Sequence, residues 1–334
     1  MKKTTIKDIA HKAGVSATTI SRYLNGRYGY MSEETRSKIE NIIKETGYRP
    51  NNVARSLRSN ASQIIGIIIS DIRNQFFTAI LDSINREAIK TDYSLSITVS
   101  NNSPTVETAL IHKLIDNGID GLLINTVGEN EDLIEEISHS IPVVLLDRNI
   151  KNSLLPVITS NNEELMKDVL IHLQSQGYDN VILLTEQPRT SSVRQIRINA
   201  FKTIANELRL QNKVVIIDLN KFENTLASPL NIEELISNEF NTAIITINGK
   251  ILDFVLSASM QSNYQFGKDF GLVSFDDYLL NSLMGITTAK QDTEEIGYRA
   301  FHLLKNQIES DESNIVIDKK EIIIPGQLIV RTTT

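Results

Sequence analysis

The chain has 334 residues, of which 41% are hydrophobic and 22% charged, a composition that excludes a disordered chain or a small disulfide scaffold. It contains no cysteine, which excludes structural disulfides, cysteine-bound metals and a thiol nucleophile. No apolar run is long enough to cross a bilayer, and charged residues interrupt the N-terminal segment where a signal peptide would be apolar. We therefore expect two or three domains and a cytoplasmic location.

The net charge of −7 is distributed unevenly along the chain. Residues 1–60 carry twelve lysines and arginines against five acids, whereas the remainder carries 22 basic and 36 acidic residues. A basic head on an acidic body is typical of a protein whose head binds a polyanion such as nucleic acid. Charge alone is also compatible with an ordinary lysine-rich surface.

Three short helices are predicted in this basic head. Thr5 and Asp8 form a capping box before a first helix over residues 6–13, where apolar residues recur at helical spacing. Ser16 caps a second helix, and Ser32 caps a third. Two helices joined by a tight glycine-containing turn, with a third packed behind them, are typical of a helix-turn-helix.

In a helix-turn-helix the second helix enters the major groove of DNA. The outward residues of that helix are small or hydroxylic, with one arginine: Ser16, Ala17, Thr18, Ser21 and Arg22. An arginine can donate two hydrogen bonds to O6 and N7 of guanine. Such a surface alone fits a solvated helix equally well, but the complete spacing of the head favours DNA binding.

A short fourth helix is predicted after the head. Pro50 ends the third helix, and Asn51 caps a new one on which Val53, Ala54 and Leu57 share a face. A helix of this length is unstable alone in water, so it needs DNA or a second copy of itself as a partner. The alternative is a plain interdomain linker.

These segments together resemble the head and hinge of the lactose-repressor (LacI/GalR) family. The similar segments are residues 5–10, 14–16, 19–22 and 25–26 in the head, and 47–51 and 54–57 in the hinge. The resemblance implies a homodimer on a dyad-symmetric double-stranded DNA operator, with Leu57 inserted into the minor groove. The implied DNA contacts are Thr5, Ser16, Ala17, Thr18, Thr19, Ser21, Arg22, Asn25, Tyr48, Asn51, Ala54, Arg55 and Leu57.

The acidic body alternates apolar runs with amphipathic stretches from residue 64 onward. Two series of strands are predicted, at 64–69, 94–99, 121–125 and 143–147, then at 181–185, 214–218, 243–247 and 271–275. Helices between the strands indicate βαβ units, hence an α/β fold with parallel sheets in two lobes. Ligand groups then belong at the carboxyl ends of the strands, in a cleft between the lobes.

This order is similar to that of periplasmic sugar-binding proteins, the fold that the repressor family uses for its effector domain. We expect a head at 1–48, a hinge helix and linker at 49–61, and an effector-binding and dimerisation domain at 62–334. The first lobe is expected to comprise about 62–160 and 290–322, and the second about 161–289 and 323–334.

Polar residues at strand ends are the candidates for effector binding. The resemblance implies eight: Asn74, Phe76, Asp147, Arg194, Arg197, Asn248, Asp276 and Gln291. Gln75 replaces the proline of one family motif, and Gly249 replaces an acid in another, so any role of that acid is lost. Core packing is the alternative for Phe76, and solvent exposure is the alternative for Arg194.

The effector is expected to be a small sugar or sugar acid. Two guanidinium groups near one cleft, on Arg194 and Arg197, would be poorly satisfied without an anion. Residues 23–26 and 30–32 also look like the branch of the family that responds to 2-keto-3-deoxygluconate. A neutral sugar or a purine is the alternative, and the direction of the effector's action is left open.

An enzyme is not expected. The chain lacks a phosphate-binding Gly-x-x-x-x-Gly-Lys loop, a Gly-x-Gly-x-x-Gly segment and a His-Glu-x-x-His motif, and its five histidines lack metal-ligand spacing. We expect no cofactor and no metal, and an effector-controlled transcriptional regulator that acts as a repressor. The alternative, a periplasmic-type solute-binding protein without a regulatory role, explains the body but not the head.

Overall fold

The computed structural model describes residues 4–24, 26–48, 61–218, 230–236, 239–310 and 321–334. The chain divides into two units, Met1–Ser62 and Gln63–Thr334. Five of the predicted DNA contacts lie outside the described residues: Asn25, Asn51, Ala54, Arg55 and Leu57. Their roles, and the hinge helix itself, stay predictions.

The first unit contains three helices, α1 Ile6–Ala13, α2 Ala17–Leu24 and α3 Glu33–Thr46. The backbone N–H of Asp8 donates to Oγ1 of Thr5 at 3.3 Å, and the backbone N–H of Thr5 donates to the Asp8 carboxylate at 2.8 Å. The predicted capping box is therefore confirmed. The helices bury a small apolar core made of Ile9, Ala10, Ala13, Ile20 and Ile39.

The second unit contains two six-stranded sheets. The strands of the first sheet are β1 Ile64–Ile69, β2 Ser94–Val99, β3 Gly121–Ile124, β4 Val143–Leu146, β5 Val157–Ser160 and β11 Glu321–Ile324. Their order is β11-β5-β4-β3-β1-β2, and every pair is parallel.

The strands of the second sheet are β6 Asn180–Glu186, β7 Gln211–Ile217, β8 Thr242–Thr246, β9 Gly271–Phe275, β10 Thr287–Lys290 and β12 Gln327–Ile329. Their order is β12-β10-β9-β8-β6-β7, with only the β10–β12 pair antiparallel.

Successive residues of a strand face opposite sides of its sheet, so apolar strands present two apolar faces, and helices cover both. The helices of the first lobe are α4 Gln75–Ala88, α5 Pro104–Asp116, α6 Glu131–Ser138 and α12 Thr293–Glu309. Those of the second are α7 Asn162–Ser175, α8 Ser192–Glu207, α9 Ile232–Leu235, α10 Gly249–Gln261 and α11 Leu279–Leu283. Within β1, Ile67 joins the apolar cluster of α4 and α12, whereas Ile68 joins the opposite cluster with α5.

The chain crosses between the lobes three times: after β5, after β10 and after β11. The two-lobed α/β architecture with parallel sheets and a helix-turn-helix head is confirmed. Two expected lobe boundaries shift slightly, because Lys290 ends a strand of the second sheet and residues 323–324 pair with the first. The predicted strands omitted β5, β10, β11 and β12, and the predicted helices omitted α11 and α12.

One glycine of α12 permits the close approach of α4. A Cβ built on Gly297 would lie 2.5 Å from Cβ of Ser83 and 2.7 Å from the carbonyl oxygen of Ile80. We expect Gly297→Ala to lower the free energy of unfolding by about 1–3 kcal/mol, because overpacking outweighs the higher helix propensity of alanine. Urea denaturation measures the change. Adding Ser83→Gly should recover part of the loss, and a more stable single variant would contradict the packing argument.

Candidate DNA-binding face and effector cleft

Helix α2 presents the predicted DNA-reading face to solvent. The side chain of Ile20 is buried in the core of the head, so the opposite side of α2 faces outward. Ser16 caps the helix, since its Oγ accepts from the backbone N–H of Thr19 at 3.1 Å. Ser16, Ala17, Thr18 and Arg22 are exposed, and Thr19 and Ser21 are half-buried. Thr5 is also exposed, whereas Tyr48 packs against the core of the head.

Arg22 is held beside an aromatic ring that the sequence analysis did not include among the site residues. Its guanidinium carbon lies 5.3 Å from the ring centroid of Tyr30, which is 86% exposed. Tyr30 ends a short 3₁₀ turn, Tyr28–Tyr30, that brings it back to the exposed side of α2. A cation–π contact of this kind limits the positions of the guanidinium, with a stabilisation of about 0.5–1 kcal/mol. Two tyrosines on either side of Gly29, in the short loop after α2, were the signal available in the sequence.

All eight candidate effector residues line one pocket between the lobes, which we call the inner pocket. It has a volume of about 40 Å³ and is lined by Asn74, Phe76, Asp147, Arg194, Arg197, Asn248, Asp276 and Gln291, with Phe77, Arg148, Ser191, Val193 and Ile247. The common cause is the parallel sheet, which delivers the carboxyl ends of neighbouring strands to one edge. Whether these side chains bind an effector stays a prediction.

Arg197 is the buried cation of the inner pocket. It projects from α8, donates from Nε to Oδ1 of Asn162 at 2.8 Å, and donates from Nη1 to the carbonyl of Ile247 at 2.7 Å. Its guanidinium carbon lies 4.0 Å from the ring centroid of Phe275. Burial lowers the pKa of Arg197, opposed by the attraction of Asp276 and Asp147. Arg197 therefore organises the pocket as well as lining it, and Asn162 is a supporting residue that the sequence analysis missed.

Two acids occupy equivalent positions in the two lobes. Asp147 follows β4 and Asp276 follows β9, and both adopt left-handed backbone conformations, with φ of 64° and 73°. Burial raises the pKa of both, that of Asp147 to about 6, although Arg197 attracts each carboxylate. Nε2 of Gln291 donates to Oδ1 of Asp276 at 2.5 Å.

Two acceptor atoms of the inner pocket have no hydrogen-bond donor within the described part of the protein. Among the described residues, Oδ1 of Asp147 and Oε1 of Gln291 are buried without a hydrogen-bond partner. Buried acceptors of this kind cost free energy until a donor reaches them. Hydroxyl groups of a polyol are suitable donors, because a carboxylate or amide oxygen accepts from O–H.

The remaining candidates are partly engaged in structural roles. Oδ1 of Asn74 accepts from the backbone N–H of Phe76 at the start of α4, and Oδ1 of Asn248 accepts from the backbone N–H of Ile251 in α10, both at 3.1 Å. The two amides are therefore fixed at the strand-to-helix turns. Phe76 is buried in the apolar core of the first lobe and also forms a wall of the inner pocket, so it serves both expected roles.

A larger cavity of about 510 Å³ adjoins the inner pocket, and we call it the outer cavity. Arg148, Ser191 and Arg194 line both spaces. Arg148 donates from Nη1 to the carbonyl of Thr126 at 3.0 Å. Burial and the charge of Arg194 lower the pKa of Arg148 to about 10. Two guanidinium groups are thus crowded at the junction of the two spaces.

The charge of Arg194 is already balanced inside the protein. Its guanidinium forms an ion pair with Glu186 at the end of β6. The argument that Arg194 and Arg197 would be unsatisfied without an anion is therefore wrong, because Glu186 lies beside the first and two strand-end acids attract the second. Glu186 was missed because only the folded loop after β6 brings it to Arg194. Arg189, in the loop after β6, is exposed.

Polar contacts hold the lobes together beside these spaces. Nζ of Lys250 donates to Oδ2 of Asp71 at 2.7 Å and lies 3.7 Å from Oε1 of Glu186. The backbone N–H of Asn149 donates to Oγ of Ser192 at 2.9 Å, and the Thr190 hydroxyl donates to the carbonyl of Val127. These polar contacts link loops of the first lobe to the loop before α8 and to the starts of α8 and α10 in the second.

Neither a metal site nor a membrane span is found in the described part of the chain. No group of three or more histidine and acidic residues there is arranged to hold a metal ion. No helix there is both long and apolar enough to cross a membrane.

Comparison with known proteins agrees with both halves of the chain. Residues 5–51 match bacterial regulatory proteins of the lacI family, and residues 170–334 match a periplasmic binding protein-like domain. The transcriptional regulator KdgR of Bacillus subtilis is 31% identical over 313 residues, covering 92% of each chain. The regulator PtxS of Pseudomonas putida is 30% identical, covering 99% of this chain and 96% of that protein.

A solved structure of the lac repressor dimer bound to operator and the anti-inducer ONPF has the same fold. Its TM-score is 0.83 at 23% identity, over 100% of this chain and 99% of that one. The head and the two-lobed domain together define a DNA-binding transcriptional regulator with an effector-binding domain. The chain belongs to the LacI family of bacterial regulatory proteins, and the prediction that it is not an enzyme is confirmed.

Removing the charge of two acids of the first lobe, Asp147 and Asp71, should change the free energy of unfolding in opposite directions. Because the pKa of Asp147 rises from 3.8 to about 6 on folding, its ionised form destabilises the protein above pH 6 and has no effect below pH 3.8. We expect Asp147→Asn to raise the free energy of unfolding by about 3 kcal/mol at pH 7, and the gain to vanish toward pH 4.

Asp71 is the matched comparison. Burial opposes its ionisation, but the Lys250 hydrogen bond and charge outweigh burial and lower its pKa. Asp71 therefore contributes stability above pH 3.8 that is lost as pH falls, so Asp71→Asn should destabilise the protein at pH 7. Thermal and urea unfolding between pH 4 and 7 measure both variants. If both variants changed the free energy of unfolding in the same direction, burial would not set the pKa of Asp147, or Lys250 would not set that of Asp71.

Proposed function

We propose that this protein is a homodimeric repressor that binds a dyad-symmetric operator and is controlled by a small sugar acid in the cleft, with 2-keto-3-deoxygluconate as the leading candidate. The observation that carries the proposal is the convergence of eight side chains, from strand ends and from the helices that follow them, on one pocket between two lobes, in a chain that also carries a helix-turn-helix. A binding cleft joined to a DNA-reading head has the parts that an effector-controlled switch requires.

Operator recognition rests on α2. Arg22 and the exposed residues at the start of the helix supply donors for bases and phosphates, and Leu57 supplies the apolar wedge that the family resemblance implies. The effector favours one arrangement of the lobes over another and so shifts the population of the DNA-binding state. A regulator that reads chromosomal operators works where the DNA lies, so we propose a cytoplasmic location.

Dimerisation is supported by an apolar helix on the second lobe. Leu279 and Leu283 of α11 are 76% and 75% exposed, and Leu280 is 45% exposed. Exposed apolar side chains grouped on one helix are typical of an interaction surface. A second copy of the chain is the occupant that fits a dyad-symmetric operator, and the related lac repressor was solved as a dimer on its operator.

The sugar-acid assignment rests on the chemistry of the two spaces together. The inner pocket offers acceptors on Asp147 and Gln291 for hydroxyl groups. Arg148 and Arg194 stand where the inner pocket meets the outer cavity, and guanidinium groups bind carboxylates with paired hydrogen bonds. KdgR is among the relatives at 31% identity, which accords with the 2-keto-3-deoxygluconate branch.

The first test is operator binding by a variant of the recognition helix. We expect Arg22→Ala to weaken binding to the cognate duplex by roughly 1–3 kcal/mol and to relax the preference at one G·C pair in each half-site. Arg36→Ala is the matched control, because Arg36 lies on α3 over the ring of Tyr28 and carries the same charge. Binding titrations on cognate and scrambled duplexes at several salt concentrations measure both.

Two results would count against the operator proposal. An equal loss on every sequence would make Arg22 a phosphate contact rather than a base contact. Absence of salt-dependent binding to any duplex would favour the solute-binding alternative over the repressor.

The second test concerns the effector. Calorimetry with 2-keto-3-deoxygluconate, a neutral hexose and hypoxanthine should show binding of the sugar acid and its release of operator DNA. Arg197→Ala should abolish the response, because it removes the buried cation of the inner pocket, while Arg189→Ala, which removes an exposed arginine bordering the outer cavity, should retain it. Thermal unfolding checks that both variants fold. Binding of the hexose alone would leave a regulator with a neutral effector.

A further inference from the structure

The outer cavity is rich in cationic side chains contributed by both lobes. Arg73 and Arg148 come from the first lobe, and Arg189, Arg194 and Lys250 come from the second. Its volume of about 510 Å³ lies in the range of small-molecule sites, whereas the inner pocket of about 40 Å³ is far smaller. A ligand that reaches the inner pocket therefore has room to extend past Arg194 into the outer cavity.

Glu186 lies beside two of these cations, Arg194 and Lys250. It is 7% exposed, pairs with Arg194 and lies 3.7 Å from Nζ of Lys250. Among the described residues, neither carboxylate oxygen of Glu186 accepts a hydrogen bond, so ion pairing alone compensates its burial. A buried carboxylate held only by charge is more easily replaced than one fixed by several hydrogen bonds.

The start of α8 adds a second source of positive potential at the same place. Ser191, the N-cap of this 16-residue helix, makes no capping hydrogen bond with its side chain, and the first turn contains no acid. Ser191 borders both the inner pocket and the outer cavity, and Arg194 lies in the first turn. The first-turn N–H groups and the helix dipole therefore favour an anion beside Arg194.

We propose that Arg194, Lys250 and the N-terminus of α8 form a carboxylate subsite that Glu186 fills in the absence of effector, so that Glu186 determines the affinity for acidic effectors. This inference rests on the sugar-acid function proposed above. The effector carboxylate exchanges with that of Glu186 on Arg194. A neutral sugar has no group that can replace Glu186, so it binds with the internal ion pair intact.

The exchange has a measurable consequence. Glu186→Gln keeps the shape of the side chain but removes the competing charge, and we expect it to bind 2-keto-3-deoxygluconate about tenfold more tightly than the unmodified protein. Without ligand, the same variant should melt at a lower temperature, because Arg194 loses its partner, and the sugar acid should restore the loss. Affinity for D-glucose should not change.

The control variant removes one carboxylate charge at another position on the outer cavity. Glu129 is an exposed carboxylate that borders the outer cavity, so Glu129→Gln reports any general effect of cavity charge. The double variant E186Q/R194Q removes both members of the ion pair and should lose the tenfold gain. It also remains informative where the single variant folds poorly, because it leaves no buried charge without its partner.

Calorimetry and thermal unfolding on the four proteins, each with both sugars, separate the outcomes. An increase in affinity that occurs only in E186Q, and only for the sugar acid, supports the subsite. Equal affinity of the unmodified protein and E186Q, or an equal gain in E129Q, overturns the subsite and leaves the proposed sugar-acid function standing. Binding of the sugar acid to neither the unmodified protein nor E186Q overturns both.

Discussion

The buried guanidinium of Arg197 is the interaction on which the cleft depends. It joins the start of α7, the end of β8 and the ring of Phe275 at the end of β9 through two hydrogen bonds and one stacking contact. Burial at this depth is costly for a charged guanidinium, and the attraction of Asp147 and Asp276 offsets part of that cost. Because Asp147 belongs to the first lobe and Asp276 to the second, this single cation attracts an acid from each lobe.

Under the proposed function, the two spaces of the cleft divide recognition of the effector between them. The inner pocket presents acid and amide oxygens to hydroxyl groups, while the outer cavity presents cations whose charge is partly cancelled by Glu186 and Asp71. The contacts between the lobes described above are polar. Small differences in ligand contacts can therefore change the balance between lobe arrangements, which is the thermodynamic requirement for control of a distant DNA site.

The local features of this fold could be read from the sequence, whereas contacts between distant residues could not. The capping box of Thr5 and Asp8 spans three residues, and the strand ends at Asp147 and Asp276 follow apolar runs, so both were predicted. The Lys250–Asp71 contact joins residues 179 positions apart, and no local pattern encodes it.

The pairing of Arg194 with Glu186 was missed for a different reason. The two residues are only eight positions apart, but the loop between them turns through Arg189, which adopts a positive φ of 42°. A left-handed turn at arginine has no clear sequence signal, since glycine and asparagine are the usual residues there. Likewise, Tyr30 reaches Arg22 through a 3₁₀ turn that hydrophobic periodicity does not reveal.

The threefold crossing of the chain between the lobes constrains the order in which the molecule can fold during synthesis. Strands β11 and β12, which pair at the edges of different sheets, lie within residues 321–329. A ribosome must therefore translate nearly all of residues 1–334 before either sheet can acquire its full set of strands. The head relies on contacts within residues 5–48, and such local contacts form quickly. The nascent protein therefore has a folded head while both lobes are still incomplete.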